Sequence, residues 1–354
     1  MIFVGRRSEL DALDRLLDGA LRGRGAVAML SGDPGIGKTR TAEEFATAAR
    51  SRGASVIWAK CFEGLSLPYA PWPAALAGDW PQESGLPALS AEDERLRLFE
   101  AVSAGVCNRQ NPLILILDDL HLAQPSALQL LEHVSHSVPN APVLVIGTHS
   151  DVGVDLAHPL TRCLAELRRN AVFVGLELEP LTSPEVRALV EALAEGEPDA
   201  ALLRQVEKET AGNPFFITEV VTHLDAGGTI PATIRQAVGG RLARLSVNTN
   251  RILSLASAFS DAFDFRAVQA ASDLPEEAVL EAVDEGLAAR IIRPAGGERY
   301  EFAHRLFQQT LQQELSPSRR SRLHRRIVRA FEQLAAEGFD LPAAELARQY
   351  EGSR

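Results

Sequence analysis

The sequence is short of the features that would mark several broad classes of protein. Only three cysteines, Cys61, Cys107 and Cys163, occur in 354 residues. Their odd number and wide spacing exclude a disulfide framework and offer no metal-ligand pattern, so they read as reduced structural thiols. No apolar run approaches the ~20 residues of a spanning helix, and residues 1–10 (MIFVGRRSEL) lack the apolar stretch of a secretory signal. No membrane partner is expected, and the expected location is cytoplasmic. Positive charge is also in deficit: 36 Lys plus Arg against 47 Asp plus Glu leaves −11. That balance opposes a broad, sequence-independent nucleic-acid surface. With 46% hydrophobic and 23% charged residues the composition is globular, and the length allows two or three domains.

What the first half does contain is five short, apolar, β-branched runs at 26–31, 54–60, 113–117, 142–148 and 171–176. Each is continuously hydrophobic, as strands buried on both faces must be. Helical patterns separate them. Leu10, Leu13, Leu17 and Leu21 form one stripe, with Ser8 and Asp11 spaced as a capping box, and Ala42, Phe45, Ala46 and Ala49 form another. Strands alternating with helices predict a parallel sheet in an α/β domain. Residues 64–85, rich in Pro, Gly and Trp, read as an insertion without an assigned role. From 180 to 246 the pattern is helical, punctuated by turns. Residues 250–311 offer three short helical stretches, then strands at 290–293 and 299–303 around a Gly296-Gly297 turn. Three helices and a hairpin suggest a winged helix. Residues 318–350 are helical again.

The chemistry concentrates at Gly32-Asp33-Pro34-Gly35-Ile36-Gly37-Lys38-Thr39, which matches G-x-x-x-x-G-K-[ST]. The glycines let backbone N–H groups curl around phosphate oxygens, and the helix start faces the same anion. Lys38 would reach the β/γ-phosphates and stands as a catalytic candidate; the Thr39 hydroxyl would ligate Mg²⁺. The bare pattern arises by chance in roughly 1% of chains this long. Here it also follows a strand and opens an amphipathic helix, which separates it from an ordinary Gly-rich turn. Residues 113–119 (LILILDD) supply the second half: Asp118 is assigned to Mg²⁺ and Asp119 to the base or water-positioning role. The bland alternative is that two acids merely begin a loop. Asp119 is one methylene shorter than Glu, so slow hydrolysis is expected. Thr148 or His149, at the end of the fourth run, is a candidate γ-phosphate sensor or simply the start of a solvated loop. No N-K-x-D sequence occurs, which favours adenine over guanine.

FVGRRSEL (3–10), SGDPGIGKTR (31–40), LILILDDLHLAQPSALQLL (113–131), GNPFFITEV (212–220) and FAHRLFQQTL (302–311) together resemble the nucleotide-binding module of the STAND class of signal-transducing P-loop ATPases. The version it most resembles is that of large LuxR-type, MalT-like bacterial regulators and related cyclase-linked and SARP-type proteins. The resemblance implies a P-loop NTPase core, a small helical domain and a winged helix closing over ADP or ATP. It also implies contacts from the adenine-side segment Val4, Gly5 and Arg6, from the loop from Gly32 through Arg40, from Pro214 on the base and from His304 on the β-phosphate. Without the resemblance Val4 reads as core, Pro214 as a helix breaker and His304 as a satisfied core histidine. The chain departs from the pattern at Ser150, where the family often carries a sensor arginine, and at Arg305, which follows His304 and adds a cation. Leu122 and Gln124 replace the usual Trp and Asp.

The DNA-reading helix of a winged helix would fall at 275–289, which carries Glu276, Glu277, Glu281, Asp284 and Glu285 and no Lys or Arg. Five carboxylates repel phosphates, so this domain is expected to be an internal lid, with no direct DNA binding. The cluster Arg319, Arg320, Arg322, Arg325, Arg326 and Arg329 reads as a solvated or salt-bridged face, with nucleic-acid or partner contact as the alternative. His133 and His136 have no third metal ligand nearby and read as surface residues.

The expected domains are an NTPase domain over 1–179, a small helical domain over 180–246, a winged helix over 247–315 and a helical arm over 316–354 that begins a helical-repeat region. The expected function is an ATP/ADP switch with slow hydrolysis, a regulatory module of a longer transcriptional regulator that opens and self-associates when ATP replaces ADP. An inducer or protein partner would act through a further C-terminal region. The alternatives are an ATPase motor or DNA-processing enzyme, the same module governing a nucleotide cyclase, and a scaffold that binds nucleotide only for stability.

Overall fold

A computed structural model describes residues 2–62, 67–76, 80–81, 90–170, 172–194, 198–222, 232–259, 262–337 and 343–352. The chain divides into two compact units, 3–179 and 180–354. The expected insertion at 64–85 lies partly outside the described residues. Among the described residues no helix is long and apolar enough to cross a membrane.

The first unit runs α1 (Arg7–Leu21), β1 (Ala26–Ser31), α2 (Lys38–Ser51), β2 (Ser55–Lys60), α3 (Trp72–Leu76), α4 (Ala91–Cys107), β3 (Leu113–Asp118), α5 (Pro125–Ser137), β4 (Val143–Thr148), α6 (Pro159–Leu167) and β5 (Phe173–Glu177). Its strands form one sheet in the order β2-β3-β4-β1-β5, with all neighbours parallel. Alternate side chains go to opposite faces. Ala28, Leu30, Ile114, Ile116, Leu144 and Ile146 pack with Leu13, Leu17 and Phe45 of α1 and α2. Val27, Met29, Leu113, Leu115, Val143 and Val145 pack with Val102, Leu131 and Leu160 of α4, α5 and α6. Burial on both faces holds for the inner strands β1, β3 and β4. It does not hold for β2 and β5, which lie at the sheet edges and are part-exposed.

Some local expectations are corrected. No capping box starts α1. Arg6, in the left-handed region at φ 62°, precedes the helix, and Ser8 lies inside it, donating to Glu9. The three cysteines are buried with free thiols. Burial pushes the Cys61 thiol up to about 12 and the Cys107 thiol up to about 11, so neither is a thiolate at neutral pH. His133 packs its ring 5.4 Å from Phe99.

The second unit begins with helices α7 (Ser183–Leu193), α8 (Ala200–Thr210), α9 (Pro214–Thr222) and α10 (Ala232–Leu242). There follow α11 (Val247–Ala256), β6 (Phe263–Asp264), α12 (Phe265–Ala271), α13 (Glu276–Ala288), β7 (Ile292–Pro294) and β8 (Arg299–Phe302). The three strands form an antiparallel sheet in the order β6-β8-β7. β6 has no counterpart in the sequence pattern: its two residues are too few to show periodicity. Gly296 and Gly297, at φ 95° and 60°, turn the chain between β7 and β8 in a conformation that L side chains resist. Helices α14 (Arg305–Glu314), α15 (Pro317–Ala336) and α16 (Ala343–Gly352) complete the unit. Phe216, Leu253, Phe263, Val283, Phe307 and Phe331 share its core.

Glu276, Glu277, Glu281 and Asp284 are exposed on α13, whereas Glu285 turns inward to accept from Ser246 N–H at 2.9 Å and from the Thr249 hydroxyl. On α15, Arg326 pairs with Asp273 at 3.0 Å and donates to the Ala271 carbonyl, while Arg319, Arg322, Arg325 and Arg329 are exposed.

Packing at the base of β1 is tight. A Cβ on Gly25 would lie 2.3 Å from the Val138 carbonyl oxygen, 2.5 Å from that of Val143 and 2.8 Å from that of Ala141. Backbone cannot yield as a side-chain tip can, so Gly25→Ala should cost about 1–3 kcal/mol in denaturant unfolding. Gly240→Ala, in α10, adds a Cβ that meets nothing within 4 Å and should stabilise by about 0.5–1 kcal/mol. Equal midpoints for the two variants would contradict this account of the packing.

Candidate nucleotide-binding site

The loop between β1 and α2 is shaped by residues that only glycine serves well. Gly32 has φ 137°, and a Cβ there would approach the Leu178 carbonyl oxygen to 2.8 Å. Gly37, at φ 104°, precedes α2, and no side chain caps that helix. The first N–H groups of α2 are therefore available to an anion, and the helix dipole favours one. Lys38 is buried and folds back over the loop, donating to the carbonyls of Gly32 and Asp33, each at 2.9 Å. Burial pushes its ammonium below the usual value, while Asp119, Asp151, Asp33 and Asp118 oppose the shift.

The sheet order puts β4 between β1 and β3, which brings three chain segments onto one carboxylate. Asp118, fully buried at the end of β3, accepts through Oδ1 from Thr39 Oγ1 at 2.8 Å and from Thr148 Oγ1 at 2.6 Å. Thr148 in turn accepts from the Asp119 N–H at 2.9 Å. Asp119 sits at φ 60°, a left-handed conformation that Asp tolerates better than most residues. Lys60, the last residue of β2, places Nζ 3.3 Å from Asp118 Oδ2 and 3.0 Å from Asp119 Oδ2. Its ammonium is held above the usual value, chiefly by the hydrogen bond to Asp119.

This donor set suits a hard divalent cation. A hydroxyl and a carboxylate oxygen already touch, and Asp118 Oδ2 accepts no hydrogen bond among the described residues. Among those residues no cluster of three His, Cys, Asp or Glu could hold a metal unaided. Mg²⁺ takes few protein ligands and completes its shell with phosphate and water, so a hydroxyl and a carboxylate suffice to hold it.

The other candidates fall in different places. Arg6 is buried and donates to the Ile36 carbonyl at 2.8 Å and to the Glu179 carbonyl at 2.5 Å, with Glu9 at 3.4 Å. It braces the phosphate loop with these contacts, beside half-buried Val4 and Gly5 at φ 75°. Arg40 turns to Glu43 at 3.0 Å and Glu44 at 3.5 Å on its own helix. Thr148, expected as a sensor, is fully buried with its hydroxyl both donating and accepting within the acid pair. That makes it a positioning residue for the carboxylates. His149 is the other sensor candidate, buried with Nδ1 3.4 Å from Asp151.

Pro214 and His304 belong to the second unit. Pro214 starts α9. His304 is buried against Phe216, ring centroids 4.9 Å apart, and its Nδ1 donates to the Thr210 carbonyl at 3.0 Å. A carbonyl can only accept, so Nδ1 carries the proton.

Sequence reasoning missed Lys60, the bracing role of Arg6, and His121, whose Nδ1 accepts from the Ser150 N–H at 3.3 Å. The one readable signal for Lys60 was a cation closing the strand that would neighbour the two acids.

Residues 2–146 match the family model described as an AAA ATPase domain. A Walker-type ATPase of Pyrococcus abyssi aligns at TM-score 0.53 and 15% identity, covering 88% of this chain and 96% of that one. The fold is that of a P-loop NTPase. A STAND protein with a tetratricopeptide repeat sensor from Pyrococcus horikoshii aligns at TM-score 0.43 and 18% identity over 99% of this chain and 48% of that one. An uncharacterized protein of Rhizobium meliloti (strain 1021) is 27% identical over 93% of this chain, which spans 37% of that relative's length.

Two histidines lie within electrostatic reach of Lys38. Burial pushes both His121 and His149 below the usual 6.5, and Lys38 adds to each shift, while Asp119 and Asp151 oppose them. The unfolded chain then takes up protons at a higher pH than the folded one. Stability is full above about pH 6.5 and falls as the pH drops toward the folded values. Melting temperature should therefore be lower at about pH 5.5 than at about pH 7.5, and His149→Asn should lose less over that interval. An identical loss in the variant would contradict the assignment.

Proposed function

We propose that the chain is an adenine-nucleotide switch with slow ATP hydrolysis, the regulatory module of a longer bacterial regulator of LuxR type. The observation that carries the reading is the convergence of Lys38, Thr39 and Asp118 at the uncapped start of α2. There the α2 amides and Lys38 bind the polyphosphate, and Thr39 and Asp118 hold Mg²⁺, which when bound neutralises phosphate charge. Asp119 positions the water and takes its proton. Its carboxylate is shorter than Glu and is paired with Lys60, so it is a poor base, and turnover is slow.

The second unit serves as the moving part in this reading. Residues 180–246 are the small helical domain, 247–315 a winged helix built as α11-β6-α12-α13-β7-β8, and 316–354 the arm. The exposed carboxylates of α13 make that winged helix a lid in place of a DNA reader. ADP favours a closed state, and the family resemblance implies Val4, Gly5, Pro214 and His304 as nucleotide contacts. ATP favours an open state that self-associates. The difference between the two nucleotides' affinities for the two states sets the size of the shift.

Calorimetry, chromatographic identification of co-purified nucleotide and light scattering test this together. The expected results are tight ADP binding, an affinity about 100-fold weaker in Lys38→Ala, turnover below about 10 s⁻¹ and larger assemblies with ATP than with ADP. Asp118→Asn should remove the Mg²⁺ dependence of binding. Fast, DNA-stimulated turnover would select a motor instead. Lys38→Ala binding nucleotide as wild type would remove the P-loop from the mechanism.

A further inference from the structure

Lys60 has no part in the phosphate cradle, yet the parallel register of β2 on β3 sets it directly opposite Asp118. The Cys61 N–H donates to the Asp118 carbonyl at 2.9 Å and fixes that register at the strand ends. Lys60 Nζ therefore reaches both acids, at 3.3 Å and 3.0 Å. The three groups differ in access to water. The Asp118 side chain is 1% exposed and that of Asp119 23%, whereas that of Lys60 is 43% exposed. Two neighbouring carboxylates in such a position need a nearby cation. Lys60 supplies one, and it can swing into solvent without becoming a buried, unpaired charge.

We propose that Lys60 is a displaceable counter-ion of the acid pair, standing in for the divalent cation at Asp118 and competing with it, so that it sets how strongly nucleotide binding depends on metal. The part concerning nucleotide rests on the proposed nucleotide site; the part concerning the acids and the metal does not. A divalent ion at Asp118 brings twice the charge to the same acid pair and repels the ammonium. In its absence Lys60 screens an incoming polyphosphate from the two carboxylates. Removing the Lys60 charge thus has opposite effects on the two ligands: metal binds more tightly and metal-free nucleotide more weakly. A residue that merely held the strands together would weaken both.

The test compares wild type with Lys60→Gln and Lys60→Arg. Free Mn²⁺ is titrated without nucleotide and followed by electron paramagnetic resonance, and ADP affinity is measured by calorimetry in EDTA and in Mg²⁺. Expected for Lys60→Gln are Mn²⁺ binding about tenfold tighter and ADP binding in EDTA about tenfold weaker, for loss of one half-exposed charge at contact distance. Lys60→Arg, which keeps the charge, should stay within about threefold of wild type. Unchanged or weaker Mn²⁺ binding in Lys60→Gln would overturn the proposal. So would a parallel loss of Mn²⁺ and ADP binding, or unfolding of Lys60→Arg, which keeps the charge the acids need. If no variant and not wild type bound ADP while Mn²⁺ shifted as expected, the nucleotide reading would fall and the counter-ion role would stand.

Discussion

A single buried carboxylate, Asp118, is the constraint around which the first unit's site is built. A carboxylate removed from water must find donors and a cation, or cost several kcal/mol. Here Thr39 and Thr148 donate to one oxygen and Lys60 faces the other. Those partners come from α2, β4 and β2, so satisfying one charge ties together the phosphate loop and two neighbouring strands. The sheet order makes this possible, because β4 separates β1 from β3 and leaves the end of β4 beside both. The same hydrogen bonds that settle the acid fix the hydroxyl that a metal would need.

The phosphate loop solves a complementary problem. Its uncapped helix start leaves N–H donors for an anion, and Lys38 beside it, which cannot cap those donors, holds the loop by donating to the loop's own carbonyls. Arg6 does the same from outside, gripping the Ile36 and Glu179 carbonyls. Both cations thus hold the loop in shape before any anion arrives. A preformed cradle loses less ordering entropy on binding than a loop that must fold around its ligand. The charge distribution of the second unit has a different logic. Four acids of α13 are exposed, and a fifth, Glu285, is turned to the start of α11, where it holds Ser246 and Thr249.

Most of the first unit's architecture was legible because its physics is local. Continuous apolar runs locate buried strands, and stripes such as Leu13 with Leu17 or Phe45 with Ala49 locate the helix faces that cover them. The motif at 32–39 was legible because glycine, lysine and threonine at that fixed spacing, between a strand and a helix, serve phosphate binding and little else. Edge position was not legible: β2, though flanked by Ser55 and Lys60, carries an apolar centre like the inner strands, and only the sheet order shows that it lacks a neighbour. β6 escaped because it consists of two residues whose pairing partner lies at β8. The expected cap at Ser8 failed because Arg6 takes the left-handed position and lengthens α1 by a residue ahead of the serine.

The residues by themselves determined the strand and helix periods, the glycine positions and the presence of a lysine, a hydroxyl and two acids with the right chemistry for phosphate and metal. They could not determine who meets whom. Thr148 became a partner of Asp118, Arg6 a brace and Lys60 the counter-ion of both acids only through strand register and sheet order. Those contacts join groups far apart in the chain, and electrostatic energy depends on distance in space, which the fold alone supplies.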